Sequence, residues 1–272
     1  MSTRPKSDAS SEYLVRMRHI CKTFNPGTVS EVPLFRDFNL TLRRGSFAAV
    51  VGSNGSGKTT ILNILCGSVT PDSGEAAVAG QEIVGMPEYR ISRFVGRVFQ
   101  DPAAGTCPAL TVLENLSLAD NKGKRFGLSG GVSRKRTDFY RSQLELLKLG
   151  LEDKLDLPVA SLSGGQRQAL ALLICVMTPI KLLILDEHTA ALDPKSSETV
   201  MELTDRIVRE KRLTVLMVTH NLKYAVGYGD RLLMMHRGRI VLDAEGEAKR
   251  ALGIRSLTEK FDEISLEAGN SV

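Results

Sequence analysis

Eight residues, Gly52-Ser53-Asn54-Gly55-Ser56-Gly57-Lys58-Thr59, fit the pattern Gly-x-x-x-x-Gly-Lys-(Ser/Thr). They follow Phe47–Val51, apolar on both faces as in a strand buried inside a parallel sheet, and they precede a helical run from Lys58 to about Cys66. Glycines let such a loop turn its N–H groups inward around a phosphate chain, and the helix start adds a partial positive charge. Lys58 is placed to reach the β- and γ-phosphates, and the Thr59 hydroxyl to ligate Mg²⁺, with Thr60 beside it. Chance alone puts these four fixed positions into roughly one per cent of chains this long.

A second chemical signal is Leu182-Leu183-Ile184-Leu185-Asp186-Glu187, an apolar strand running into two acids. In an open α/β sheet a strand end of this kind faces the ligand crevice. Asp186 there can hold Mg²⁺, and Glu187 can polarise a water aimed at the γ-phosphate. A third is Leu162-Ser163-Gly164-Gly165-Gln166, a Ser-Gly-Gly turn opening a helix and so another anion-binding start. One nucleotide has one γ-phosphate. Two such starts in one chain are reconciled by a head-to-tail pair of chains, each nucleotide held between the loop of one and the turn of the other.

With these residues in order, the sequence resembles the nucleotide-binding subunit of an ATP-binding-cassette (ABC) transporter over about residues 12–245. The resemblance implies an α/β fold: a P-loop NTPase (RecA-like) core, an antiparallel β subdomain, and a helical subdomain inserted at about 102–170. By resemblance Phe24 stacks on adenine, and Gln100 in Val98-Phe99-Gln100-Asp101 is the Q-loop glutamine, which positions water and metal. Asp193 in Ala190-Ala191-Leu192-Asp193 belongs to the loop that crosses to the partner, and His220 is the switch histidine on the γ-phosphate. The expected cofactors are ATP and Mg²⁺. The expected partners are a second copy, an integral-membrane permease and an extracytoplasmic solute-binding protein, but no nucleic acid. The expected location is the cytoplasmic face of a bacterial cell membrane.

His188 departs from the proline that the family usually carries after the two acids. It reads either as a loop-shaping substitution or as a pH-sensitive neighbour of the γ-phosphate. The wording Asp186-Glu187-His188-Thr189-Ala190-Ala191-Leu192-Asp193-Pro194 resembles a branch serving permeases for amino acids or similar small solutes. A soluble cassette of the iron–sulfur assembly type is the alternative, although its signature usually ends Glu-Lys-Lys rather than Gln166-Arg167-Gln168. A kinase or GTPase switch would not need the Ser-Gly-Gly-Gln turn.

The rest of the chain sets bounds. Of its 272 residues 42% are hydrophobic and 25% charged, enough to bury a core, and the net charge of +5 fits anionic partners without choosing one. Cys21, Cys66, Cys107 and Cys175 form no Cys-x-x-Cys pair, which excludes a written zinc or redox motif. Residues 1–11 are polar and read as a disordered tail without an export signal; residues 246–272 read as a charged helical tail. The longest membrane-like run, Ala169–Met177, is too short to span, so it reads as a buried helix, followed by a turn at Pro179. The basic stretch Lys122, Lys124, Arg125, Arg134, Lys135, Arg136 and Arg141 is either a solvated loop or a face for anionic lipid. Aromatics are sparse there, which argues against a single-stranded nucleic-acid platform. The expected permease groove lies near Gln100–Leu110.

Overall fold

A computed structural model describes residues 12–124, 131–132 and 134–269. The expected tail 1–11 and Arg125 lie outside the described residues. Among the described residues, ten strands form two sheets. The first is antiparallel, with β1 (Tyr13–Phe24), β2 (Val32–Arg43), β4 (Ser73–Val78) and β5 (Gln81–Glu82) in the order β2-β1-β4-β5. The second contains β3 (Phe47–Gly52), β6 (Val95–Val98), β7 (Leu182–Asp186), β8 (Thr214–Val218), β9 (Arg231–His236) and β10 (Arg239–Glu245), in the order β10-β9-β3-β8-β7-β6. It is parallel except for the β9–β10 hairpin.

Strand alternation explains the layering. From β3, Ala48 and Val50 point into one core with Ile184, Leu216 and Leu233. That core is closed by β1, β2 and helix α1 (Lys58–Cys66), which starts and ends where the sequence reading puts it. Phe47, Ala49 and Val51 point the other way, into a core shared with Leu183, Val215 and Leu232. This second core is covered by α3 (Val112–Asp120), α4 (Thr137–Glu145), α5 (Gly164–Met177) and α6 (Pro194–Lys211). A strand buried on both faces must be apolar throughout, which is why β3, β7 and β8 read as unbroken hydrophobic runs.

The inserted helical region consists of α3, α4 and the start of α5. A boundary at residue 170 falls inside α5, because this continuous helix serves both parts: it packs on α3 and α4, and also on β6 and α6. The short helix α2 (Glu88–Ile91), before β6, and the β4–β5 hairpin were not legible as elements in the sequence. Beyond β8, α7 (Leu222–Gly227) leads to the terminal hairpin, α8 (Glu247–Arg250) and α9 (Ile254–Gly269). This C-terminal segment docks on the body. Leu257 is fully buried, and the buried Lys249 ammonium donates to the carbonyls of Tyr228 and Gly229. No helix among the described residues is long and apolar enough to cross a membrane.

Candidate active site

The parallel strands β3, β8, β7 and β6 lie side by side, so their C-terminal ends form one edge. The phosphate loop leaves β3 there, Thr219-His220 leaves β8, Asp186-Glu187 ends β7, and Phe99-Gln100 follows β6. Sequence-distant residues are therefore gathered by strand order alone.

The loop is built to hold an anion. Helix α1 begins after Gly57 with no side-chain cap and no acid in its first turn, whereas α3, α5, α6 and α7 are capped by Thr111, Ser163, Asp193 and Asn221. Its first N–H groups are thus left for an outside acceptor. Gly57 sits at φ 104°, and a Cβ there would fall 2.7 Å from Phe35 Cε1, so only glycine lets the loop close over this ring. The buried Lys58 ammonium donates to the carbonyls of Gly52 at 2.7 Å and Ser53 at 2.9 Å, with a third N–H to spare. Burial pushes its pKa below the usual lysine value, partly opposed by Glu187. The Ser56 hydroxyl is buried without a partner inside the same loop.

A cavity of about 410 Å³ is lined by Phe24, Val32, Leu34, residues 54–60 and Glu187. It brings together the expected adenine platform, the phosphate loop and the expected base. Among the described residues, none of Ser163, Gly164, Gly165 and Gln166 lines it.

Glu187 adopts φ 48°, a left-handed conformation uncommon for glutamate, while its N–H donates to Val218 O at 2.9 Å. That kink turns the carboxylate towards β8, where Oε1 lies 2.7 Å from His220 Nε2.

Asp186 is engaged by a residue the sequence reading passed over. Arg97 Nη2 donates to Asp186 Oδ2 at 2.6 Å, and Nη1 donates to Asn63 Oδ1 at 2.8 Å. The available signal was an arginine interrupting the apolar strand Val95–Val98. Gln100 is exposed just past that strand. A second missed residue, Gln168, is fully buried in α5 and donates to Phe99 O at 2.9 Å, tying the signature helix to the chain leading into Gln100.

Ser163 caps α5 in a reciprocal box. Its Oγ accepts from Gln166 N at 3.3 Å, and its own N–H donates to Gln166 Oε1 at 3.2 Å. Gln166 also donates to Leu149 O. A Cβ on Gly165 would lie 3.0 Å from Ser196 Cβ, so the turn packs closely on the start of α6. Asp193 caps α6 by accepting from Ser196 N at 3.0 Å, and the bonds from Ser196 hold its carboxyl below the usual range.

His188 is buried against α6, with Nε2 3.3 Å from Thr204 Oγ1. The Thr204 hydroxyl spends its hydrogen on Val200 O, so Nε2 of His188 is the donor and Nδ1 is left buried without a partner. Burial pushes the pKa of this imidazole down to about 4. It shapes the loop as a neutral ring.

A two-core α/β sheet carrying a phosphate loop at the C-terminal edge of its strands, with an acid pair and a histidine beside it, defines a P-loop nucleoside-triphosphate hydrolase. Comparison with known proteins narrows this class. Residues 35–190 match the family described as ABC transporter. The chain is 45% identical over 249 residues to the tyrosine transport ATP-binding protein of Clostridioides difficile (strain R20291), covering 92% of this chain and 99% of that protein. It is 34% identical over 240 residues to the methionine import ATP-binding protein MetN of Rhizobium johnstonii, covering 87% of this chain and 62% of that longer protein. Its fold matches the dimeric post-hydrolysis structure of the ATP-binding cassette MJ0796 bound to ADP and Pi, with TM-score 0.71 and 28% identity over 85% of this chain and 98% of that one.

The chain belongs to the ABC transporter family. It is an ATP-binding cassette, an ATPase whose hydrolysis is coupled to transport, and it uses ATP with Mg²⁺. The residues present suit that pair: uncapped N–H groups and Lys58 for the phosphates, Thr59 and Asp186 as oxygen donors for the cation. No cluster of three or more potential metal-ligating side chains exists among the described residues, which fits a cation held largely by phosphate and water.

Proposed function

We propose that this chain is the ATP-hydrolysing subunit of a bacterial uptake system for an amino acid, acting as a head-to-tail homodimer around two Mg-ATP at the cytoplasmic face of a permease. The observation that carries the mechanism is the 2.7 Å contact between His220 Nε2 and Oε1 of Glu187, a residue that lines the phosphate-loop cavity. Phe24 stacks the adenine, the loop amides and Lys58 hold the phosphates, and Glu187 accepts a proton from the attacking water. Thr59, Asp186 and Gln100 would hold Mg²⁺, which would supply positive charge against the phosphates. His220 fixes Glu187 and the γ-phosphate end.

Two facts support a shared site. The signature turn lies outside the chain's own nucleotide cavity, and Asp193 is exposed on the loop before α6. In the dimer, Ser163, Gly164, Gly165 and Gln166 of one copy complete the phosphate shell of the other, with the Asp193 loops crossing between them. For the permease, a separate cavity of about 500 Å³ lies between Cys66 and Ile91 on one side and Ala119 and Ile174 on the other, reaching Phe99 and Gly105. It meets the groove expected at Gln100–Leu110 at Gly105 and suits a largely apolar segment of the permease. The amino-acid assignment rests on the tyrosine and methionine relatives; an extracytoplasmic solute-binding protein completes the system.

The test is reconstitution of this subunit with the permease encoded beside it in proteoliposomes. ATP-dependent uptake of tyrosine or another amino acid is expected, abolished by Glu187→Gln. A subunit that associates with no membrane protein and supports no uptake would overturn the transport reading.

A further inference from the structure

Arg97 is a cation placed inside β6, the edge strand of the parallel sheet, between Gly96 and Val98, which are both buried. Its side chain is 14% exposed and that of its partner Asp186 is 16% exposed. Three contacts fix the guanidinium. Nη2 donates to Asp186 Oδ2 at 2.6 Å, Nη1 donates to Asn63 Oδ1 at 2.8 Å, and Cζ lies 4.8 Å from the centroid of the Phe99 ring. Asn63 belongs to α1, the helix that leaves the phosphate loop, and Asp186 ends β7. The planar fork suits this double grip in a way a lysine point charge does not.

The pair has a consequence for a divalent cation. A guanidinium on Oδ2 leaves Asp186 one free oxygen, and its positive charge offsets the field that the carboxylate offers. Taking this side chain out of water is itself costly and is repaid only by good geometry, so the strand tolerates Arg97 at a price that an apolar residue would not incur. We propose that Arg97 is a positioning residue for Asp186: it holds the carboxylate by one oxygen and weakens its pull on the divalent cation that accompanies the nucleotide. The proposal rests on the reading of Asp186 as a metal carboxylate.

The experiment measures the Kd for Mn²⁺, followed by electron paramagnetic resonance of the free ion, in the complex of the purified chain with ADP. Mn²⁺ serves as the probe, and no turnover is involved. Arg97→Met is expected to tighten Mn²⁺ binding about tenfold, because the competing cation is gone. Arg97→Gln, which keeps a donor on β6 beside Asp186 but removes the charge, is expected to tighten it by about threefold. Arg97→Lys keeps the charge and is expected to stay within about twofold of the parent chain. Misfolding loosens a metal site, so tightening separates this role from a merely structural one. If Arg97→Met does not fold, Arg97→Gln carries the test. Unchanged or weakened Mn²⁺ binding in both variants, while Asp186→Asn weakens it, overturns the proposal. If Asp186→Asn leaves the Kd unchanged, the metal-carboxylate reading fails instead, and the proposal with it.

Discussion

His220 Nε2 lies 2.7 Å from Glu187 Oε1, and the two residues come from the ends of adjacent parallel strands. Glu187 adopts a left-handed conformation there instead of continuing the strand. If Glu187 is the base of the proposed mechanism, the imidazole of His220 is the group nearest its carboxylate at 2.7 Å.

Glu187→Gln follows from that arrangement. The amide keeps the size of the side chain but cannot take a proton, so hydrolysis is expected to fall by a factor of about 100 to 10,000, the range for general-base catalysis. ATP binding is expected to persist, and the unhydrolysed nucleotide to hold the dimer closed. Size-exclusion chromatography with Mg-ATP checks this: a dimer peak is expected, and a monomer with normal turnover would count against the base assignment.

Ser163→Arg addresses the partner's side of the site. Ser163 caps α5, so its loss costs about 1 kcal/mol of stability on general grounds, too little to unfold a domain. Hydrolysis is expected to vanish while a single chain still binds nucleotide with nearly unchanged Kd by calorimetry. Loss of binding would show that the turn serves its own chain. Ser163→Ala separates the cap from the interface, costing stability with little steric obstruction.

His188 gives the protein a pH dependence of stability. The ring is neutral in the folded chain, with its pKa pushed down to about 4 by burial, while in the unfolded chain it titrates near the ordinary value of about 6.5. The unfolded state therefore takes up the proton first. Stability from this source falls as pH drops below about 6.5 and stops falling below about 4. Between pH 7 and pH 5 the loss is about 2 kcal/mol by linkage. Urea unfolding at the two pH values should show that loss, and His188→Gln should flatten it. An equal slope in both proteins would contradict the buried neutral assignment.

Much of the site is legible in the residues because its elements are punctuated. Glycines and a buried apolar strand mark the start of α1 at Lys58, and an apolar run ending in two acids marks β7. The β4–β5 hairpin is harder to see because Ser73-Gly74-Glu75 opens β4 with exposed small and polar residues, and only Ala76 and Val78 turn inward. Arg97 escapes for a different reason. A charge beside apolar residues reads as the solvent face of a half-exposed strand, and only the tertiary arrangement reveals that Asp186 and Asn63 wait on that face. His188 is distinguished from a γ-phosphate neighbour only by Thr204, one helix away. The helical insertion is visible as a region, but its boundary is not, since α5 continues without a break from the signature turn into the main core.

The central claim is that the catalytic site forms only between two copies of the chain. Its most direct test is the ATPase rate per chain of the purified subunit as a function of protein concentration, at saturating Mg-ATP. The specific rate should rise with concentration, in proportion to it at the dilute end, and then level off as the dimer saturates. A specific rate that stays constant down to concentrations where only monomer is present would contradict the claim, and with it the roles of Ser163 and the signature glycines.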